Sequence, residues 1–416
     1  MKQVLRATWP LYLGMAFAVA SNGLLGSLLA VRAFDEGFDT SDTGLVMAGF
    51  FMGYLLGALM TPKLIARIGH AKVFAVVASA ASGFALLFDS FVNVPVWLLL
   101  RIAIGFCFAA IFIVTETWLN DRSSNETRGQ VLNLYVMVTY AAMGIGSILL
   151  CVTDPETSNL FILASVLISF GIIPVLMSTA PSPAYESPRR MGLIKLLGKA
   201  PLGVGVMFLT GMAQGALIAA GPIYADKSEL TTIGIAAFMS IIYLASLVFM
   251  VPLGHLADRF ERGRFIIAMS GICVVLAVVQ GLTPPSLEVV LYGLTAIFSA
   301  LCLAHYGLAL AATNDALAPD EMVGAGATLF IFCALGMILG PIVATEMIEA
   351  WRPPAFFYYL AGVHALIVAY ALAFLPRRRL RSQDRPRLSP PPAFGLQGPL
   401  ATAIALSGEV RDRTGP

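Results

Sequence analysis

Arg101 and Glu116 are the two formally charged side chains in an otherwise uncharged run, Val96–Leu119. A charge at bilayer depth costs about 2.5–3.5 kcal/mol even on lenient scales, so each should face a cavity or a partner. Arg101 can bind an anionic group of a substrate or hold a nearby carboxylate ionised; alternatively its long stem carries the guanidinium to the headgroups. Glu116 can carry a proton, or it can pair with an arginine at the helix end, Arg67 or Arg128, and so close a gate. The two residues are 15 positions apart. That is just over four helical turns, which puts them within about 60° of one face and over roughly 20 Å apart.

Further polar residues interrupt other apolar runs: Asn22, Tyr140, Gln214, His305 and Tyr306. Histidine titrates near neutral pH, so His305 is a second candidate for moving a proton, against the plainer reading of a hydrogen-bonded packing residue. Asn22 and Gln214 can equally bond to facing helices. No acidic residue lies at mid-depth, so nothing calls for a cationic substrate, and Arg101 with His305 leans toward an anionic or neutral one. No H-E-x-x-H, G-x-S-x-G or G-x-x-x-x-G-K-[ST] sequence occurs. The expectation is therefore no catalytic residues, no metal ligands, no cofactor and no direct drive by ATP. Cys107, Cys151, Cys273, Cys302 and Cys333 read as small buried hydrophobes, and His364 and Tyr370 as facing lipid or packing.

These residues need elements that hold them in a membrane. Of 416 residues, 58% are hydrophobic and 12% charged, with mean hydropathy +0.84. Soluble domains carry roughly 45–50% apolar and about 25% charged residues, so a cytosolic enzyme, a nucleic-acid binder and a disordered scaffold are excluded. Near-charge-free runs of about 20 residues, the length that crosses a roughly 30 Å hydrocarbon layer, recur twelve times, from Pro10–Val31 to Ala355–Leu375. Lys and Arg accumulate on the cytoplasmic side of membranes. With the N-terminus inside, 22 of the 26 fall in inside loops or the tail, so both termini are expected in the cytoplasm.

A Pro-rich basic loop, residues 179–200, divides the runs six and six, and the sequence repeats across it. Leu64 and Arg67 recur as Leu256 and Arg259, Asn120-Asp121 as Asn314-Asp315, and Glu126-x-x-Gly129 as Glu321-x-x-Gly324. Two parallel six-span halves explain this, with a site between them near the midplane. The expected organisation is an N-terminal bundle over 1–178, the central loop, a C-terminal bundle over 201–375 and a cytoplasmic tail over 376–416.

Gly254-x-Leu-Ala-Asp258-Arg259 resembles the loop signature of the major facilitator superfamily, and Arg101-x-x-x-Gly105-x-x-x-Ala109 resembles its span-four element. The first-half loop copy departs from the pattern, with Pro62 and Ala66 at the glycine and aspartate positions, and span five lacks the G-P dipeptide of the antiporter signature. Thr115-Glu116-Thr-Trp118-Leu-Asn120 and Asn314-Asp315-x-Leu-x-Pro319 resemble the YcaD-like branch. The resemblance implies an all-α membrane fold of twelve transmembrane helices in two pseudo-symmetric bundles, with spans one, four, seven and ten lining the path. That supports Asn22, Arg101, Gln214, His305 and Tyr306 as cavity candidates, while Tyr140, on span five, is a candidate by its polarity within an apolar run. The resemblance also implies an inner gate in which Asp258, with Arg259 beside it, meets the start of span five near Thr127–Gln130.

The expected function is secondary-active transport of a small solute by alternating access in a bacterial inner membrane, coupled to protons, with efflux slightly favoured and a monomer sufficient. The alternatives are a polytopic membrane enzyme and a non-transporting sensor on a transporter-like fold.

Overall fold

The computed structural model describes residues 2–124, 127–177, 191–257 and 259–375. Among these, every regular element is a helix, and twelve are long and apolar enough to cross a membrane. They are α1 (Thr8–Asp35), α2 (Thr40–Ile68), α3 (His70–Ser90), α4 (Val94–Asp121), α5 (Arg128–Cys151), α6 (Asn159–Met177), α7 (Pro201–Lys227), α8 (Thr232–Ala257), α9 (Arg262–Leu282), α10 (Glu288–Asn314), α11 (Asp320–Ala350) and α12 (Ala355–Phe374). Each expected apolar run coincides with one of them. Most helices extend up to a turn beyond the run, because backbone pairing continues where the side chains turn polar.

Local sequence sets several of the ends. Asp39 starts α2 from an extended backbone, its carboxylate accepting from the Asp42 N–H at 2.7 Å. Asn93 does the same for α4 through the Val96 N–H at 3.0 Å, with Pro95 in the first turn where its missing N–H is harmless. In α7 the pairing widens over Ala216–Ala220, immediately before Gly221-Pro222. The proline ring and its lost N–H displace the carbonyls of the preceding turn, and the wider turn absorbs them.

Twelve crossings return the chain to the end from which it started. We call this the terminal end, and the opposite one, carrying residues 36–39, 152–158, 228–231 and 351–354, the loop end. Within the first six helices α1 packs on α5 and α6, α2 on α4, and α3 on α4 and α6; within the second six, α7, α8 and α9 repeat these contacts with the helices numbered six higher. The bundles meet along two seams, α2 with α11 and α5 with α8. Adding six to one seam generates the other, as a pseudo-twofold axis requires. Small residues allow the close approaches. A Cβ on Gly53 would overlap the Ile102 carbonyl, and one on Gly336 would overlap the Phe208 carbonyl.

The expected central loop is described only from residue 191. There a short helix, Leu193–Lys199, leads into α7. The tail over 376–416 and Asp258 lie outside the described residues.

Candidate functional site

Arg101 sits two turns into α4 from the loop end and is buried, 4% exposed. Its Nη2 lies 3.5 Å from the Met47 sulfur, and its guanidinium carbon stands 5.2 Å from the centre of the Phe50 ring, both on α2. Nε and Nη1 have no hydrogen-bond partner, and no carboxylate among the described residues pairs with the group. Tyr243 of α8, in the other bundle, lies near Arg101, and Tyr140 of α5 lies near Tyr243. The Tyr140 hydroxyl is buried without a partner. Arg101 therefore faces the boundary between the bundles.

The same face of α4 continues toward the terminal end through Phe108, seven residues on, and then Phe112 and Glu116 at intervals of four. Glu116 is fully buried, with Tyr54 of α2 and Tyr135 of α5 nearby. Tyr54 stacks on Phe50 at 6.0 Å, meets Phe112 edge-on at 6.1 Å, and reaches across the seam to Phe330 of α11 at 5.8 Å. Tyr306 of α10 also lies near Tyr54. The hydroxyls of Tyr54 and Tyr135 are buried and unpartnered. Aromatic rings thus connect a cation at one level to a carboxylate at another, with orphaned hydroxyls between them.

The other expected residues are spread more widely. Asn22 donates to the Met143 sulfur at 3.7 Å, and Gln214 to the carbonyls of Cys302 and Leu303 at 3.1 and 3.2 Å, so each ties two helices of its own bundle. His305 turns away from Tyr306, as adjacent helical residues must. It packs inside the second bundle against Ser270 of α9 and His364 of α12. Arg67 is exposed at the end of α2, Arg259 is exposed just beyond α8, and Arg128 is half-buried at the start of α5.

Phe50, Tyr54, Tyr135, Tyr243 and Phe330 escaped the sequence reading. An aromatic residue in an apolar run looks like core, and only the four-residue spacing of Phe50 and Tyr54 hints at a shared face. His70 was missed as well; it is buried at the start of α3, 3.1 Å from the Thr117 hydroxyl beside Glu116.

At the terminal end, Glu321 of α11 accepts from Lys195 at 2.8 Å and Lys199 at 2.7 Å, and it also accepts from the Ala318 N–H at 3.4 Å. The hydrogen bond, and secondarily the charge, of Glu321 raise the Lys195 ammonium above its ordinary pKa. Arg262 and Asp315 pair at 3.1 Å, joining α9 to α10. Among the described residues, further contacts between the bundles lie toward the loop end. A Cβ on Gly44 of α2 would run into Thr345 of α11, the Ser240 hydroxyl donates to the Gly144 carbonyl at 3.1 Å, and the Lys227 ammonium lies 4.4 Å from the Phe34 ring.

Two bundles of membrane helices with buried polar groups at their shared face define a protein built like a solute transporter. The Major Facilitator Superfamily model matches residues 11–334, and the chain belongs to that family. It is similar to YcaD, described as an uncharacterised MFS-type transporter. The Escherichia fergusonii form is 24% identical over 352 residues, 84% of this chain and 91% of that protein; an Escherichia coli form is 23% identical over 356 residues, with the same coverage. Among solved structures, the nucleoside transporter NupG superposes with a TM-score of 0.70 at 13% identity, over 91% of this chain and 100% of that one. A bacterial homologue of the human lysosomal transporter Spinster, inward-facing and unoccupied, gives 0.69 at 13% identity over 99% of each. At these identities the structural likeness concerns the fold alone.

Proposed function

We propose that this chain is a secondary-active transporter that moves a small solute bearing an anionic group, by alternating access and coupled to protons, with efflux favoured over uptake. The carrying observation is Arg101: a buried guanidinium between the bundles, with two unsatisfied nitrogens and no carboxylate among the described residues to pair with it. A guanidinium recognises carboxylates and phosphates through paired N–H bonds. An anionic ligand would supply the missing acceptors, while Phe50, Tyr54 and Phe330 take its apolar body and the free tyrosine hydroxyls its remaining polar groups. Glu116, at the other end of the aromatic connection, is the proton carrier in this scheme.

The excess of Lys and Arg in the loops of the terminal end supports a cytoplasmic placement of that end. The contacts at the loop end then close the outer side, and rocking of the bundles about the two seams exposes the site to each side in turn. Asp258 and Arg259 belong to the inner gate by the family signature, and Arg67 and Arg128 join it as cationic partners for Glu116.

The test is the full-length protein in liposomes enclosing a pH-reporting dye, challenged with small carboxylates, phosphates and sulfonates beside cationic and neutral solutes under an imposed pH gradient. Proton-linked movement of an anionic solute is expected, abolished in Arg101→Ala and uncoupled from the gradient in Glu116→Gln. Coupled flux at the wild-type rate in Arg101→Ala, or flux of cations alone, would reject the assignment.

A further inference from the structure

Three helices of the second bundle each turn one metal-binding side chain into the same apolar interior: Cys273 from α9, His305 from α10 and His364 from α12. All three are fully buried, and one donor atom of each lies within 4.8 Å of the other two. The two imidazoles meet edge to face with ring centres 5.1 Å apart. Neither nitrogen of His364 has a hydrogen-bond partner, so a buried imidazole leaves both a lone pair and an N–H unused, which native interiors rarely allow.

His305 is already oriented. Its Nδ1 lies 2.8 Å from the Leu301 carbonyl, which can only accept, so Nδ1 carries the hydrogen. Nε2 is then the bare nitrogen, and the Ser270 hydroxyl donates to it at 2.7 Å. A backbone carbonyl holding one ring nitrogen so that the other aims inward is how proteins fix a metal-binding histidine.

We propose that Cys273, His305 and His364 form a binding site for copper(I). Three atoms no more than 4.8 Å apart always share a point within 4.8/√3 of each. That is about 2.8 Å, so contraction by less than about 1 Å reaches metal–nitrogen and metal–sulfur bond lengths of about 2.0–2.3 Å. Charge selects the ion. A monovalent ion with one thiolate and two neutral imidazoles is neutral overall, whereas a divalent ion leaves a net positive charge in a buried apolar interior. Zinc also prefers four ligands, and thiolate with imidazole suits copper(I). On binding, one copper–sulfur and two copper–nitrogen bonds form, the Cys273 S–H bond breaks with its proton passing to water, and the Ser270 hydroxyl swings off Nε2. Copper enters and remains as copper(I), with no electron transferred. The ion ties α9, α10 and α12 together, a role separate from the solute site at Arg101.

The test uses full-length protein carrying a histidine-free affinity tag, loaded with copper(I) in detergent under anaerobic conditions with ascorbate and washed with bicinchoninate. About one copper per chain is expected, with a raised unfolding temperature and an X-ray absorption spectrum of one sulfur and two nitrogen ligands. Cys273→Ala and His364→Phe should retain less than about a tenth of that metal and lose the thermal shift, while His255→Ala, at an exposed histidine, should retain all of it. Wild-type protein that keeps less than a tenth, equal copper in wild type and both ligand variants, or zinc taken in preference from an equimolar mixture overturns the proposal. Should the variants aggregate, the wild-type spectrum decides: absence of a sulfur ligand overturns it.

Discussion

The Cβ that Gly105 lacks would overlap the carbonyl oxygen of Phe50. Thus α4 and α2 touch backbone to backbone one turn from Arg101, beside the ring against which its guanidinium lies. The family element Arg101-x-x-x-Gly105-x-x-x-Ala109 therefore combines a chemical group with the packing that places it. In a bilayer no hydrophobic force draws helices together, so this close approach supplies much of what holds α4 at its distance from α2.

Gly105→Val should separate the two helices. Overpacking of a tight contact costs about 1–3 kcal/mol, and the shift would also lift Arg101 off Phe50. A lower unfolding temperature in detergent is expected, together with a loss of solute binding larger than the stability loss explains. An unchanged melting curve would mean that the contact is not made.

Tyr54→Phe should behave in the opposite way. The hydroxyl is buried with no hydrogen-bond partner in the protein, so deleting it removes an unsatisfied group and leaves stability unchanged or higher by up to about 1 kcal/mol. If the hydroxyl bonds to solute, affinity falls roughly tenfold, the equivalent of about 1.4 kcal/mol. Equal affinity with equal stability would take Tyr54 out of the site and leave only its ring as packing.

The architecture was legible in the sequence because hydrophobic runs of membrane length and the repeated Asn-Asp and Leu-x-x-Arg pairs carry it directly. Arg101 and Glu116 were legible for the same reason, each being a charge where a charge is expensive. Phe50, Tyr54, Tyr135 and Tyr243 were not, since only packing decides which aromatic faces the boundary and which faces lipid. Direction around a helix also separated His305 from Tyr306: adjacent in the chain, one turns toward His364 and the other toward the Tyr54 side. Gln214 read as a cavity candidate because composition reveals a polar group without revealing that Cys302 and Leu303 carbonyls already receive its N–H bonds.

Glu321 holds the short helix Leu193–Lys199 against the start of α11 through Lys195 and Lys199. A nitroxide on Leu197→Cys, an exposed position, in a Cys151→Ser background reports that attachment. Its spectrum should be immobilised in the parent and mobile in Glu321→Gln. The pair raises Lys195 above its ordinary 10.5. A group with a raised folded value contributes stability below its unfolded pKa and loses it as pH rises through the folded one. The label should therefore stay immobilised up to pH 10.5 and loosen only above it; loosening in mild acid or near neutral pH would contradict the pairing.

Gly44 and Thr345 face each other across the α2–α11 seam, with 2.7 Å between the Cβ that Gly44 would carry and that of Thr345. Disulfides prefer a Cβ separation of about 3.5–4.5 Å, so cysteines at both positions can bridge once the helices part by roughly an ångström. If the bundles rock about this seam during transport, a bridge at the loop end fixes one of the two states. Gly44→Cys/Thr345→Cys, again with Cys151→Ser, should lose solute flux on oxidation and recover it on reduction. Each single variant should be indifferent to oxidant, which separates the effect of the bridge from that of the added side chain. Flux persisting in fully bridged protein would show that the seam need not open, and alternating access would then have to be sought in bending of single helices, for which the widened turn at Ala216–Ala220 before Gly221-Pro222 is the natural hinge.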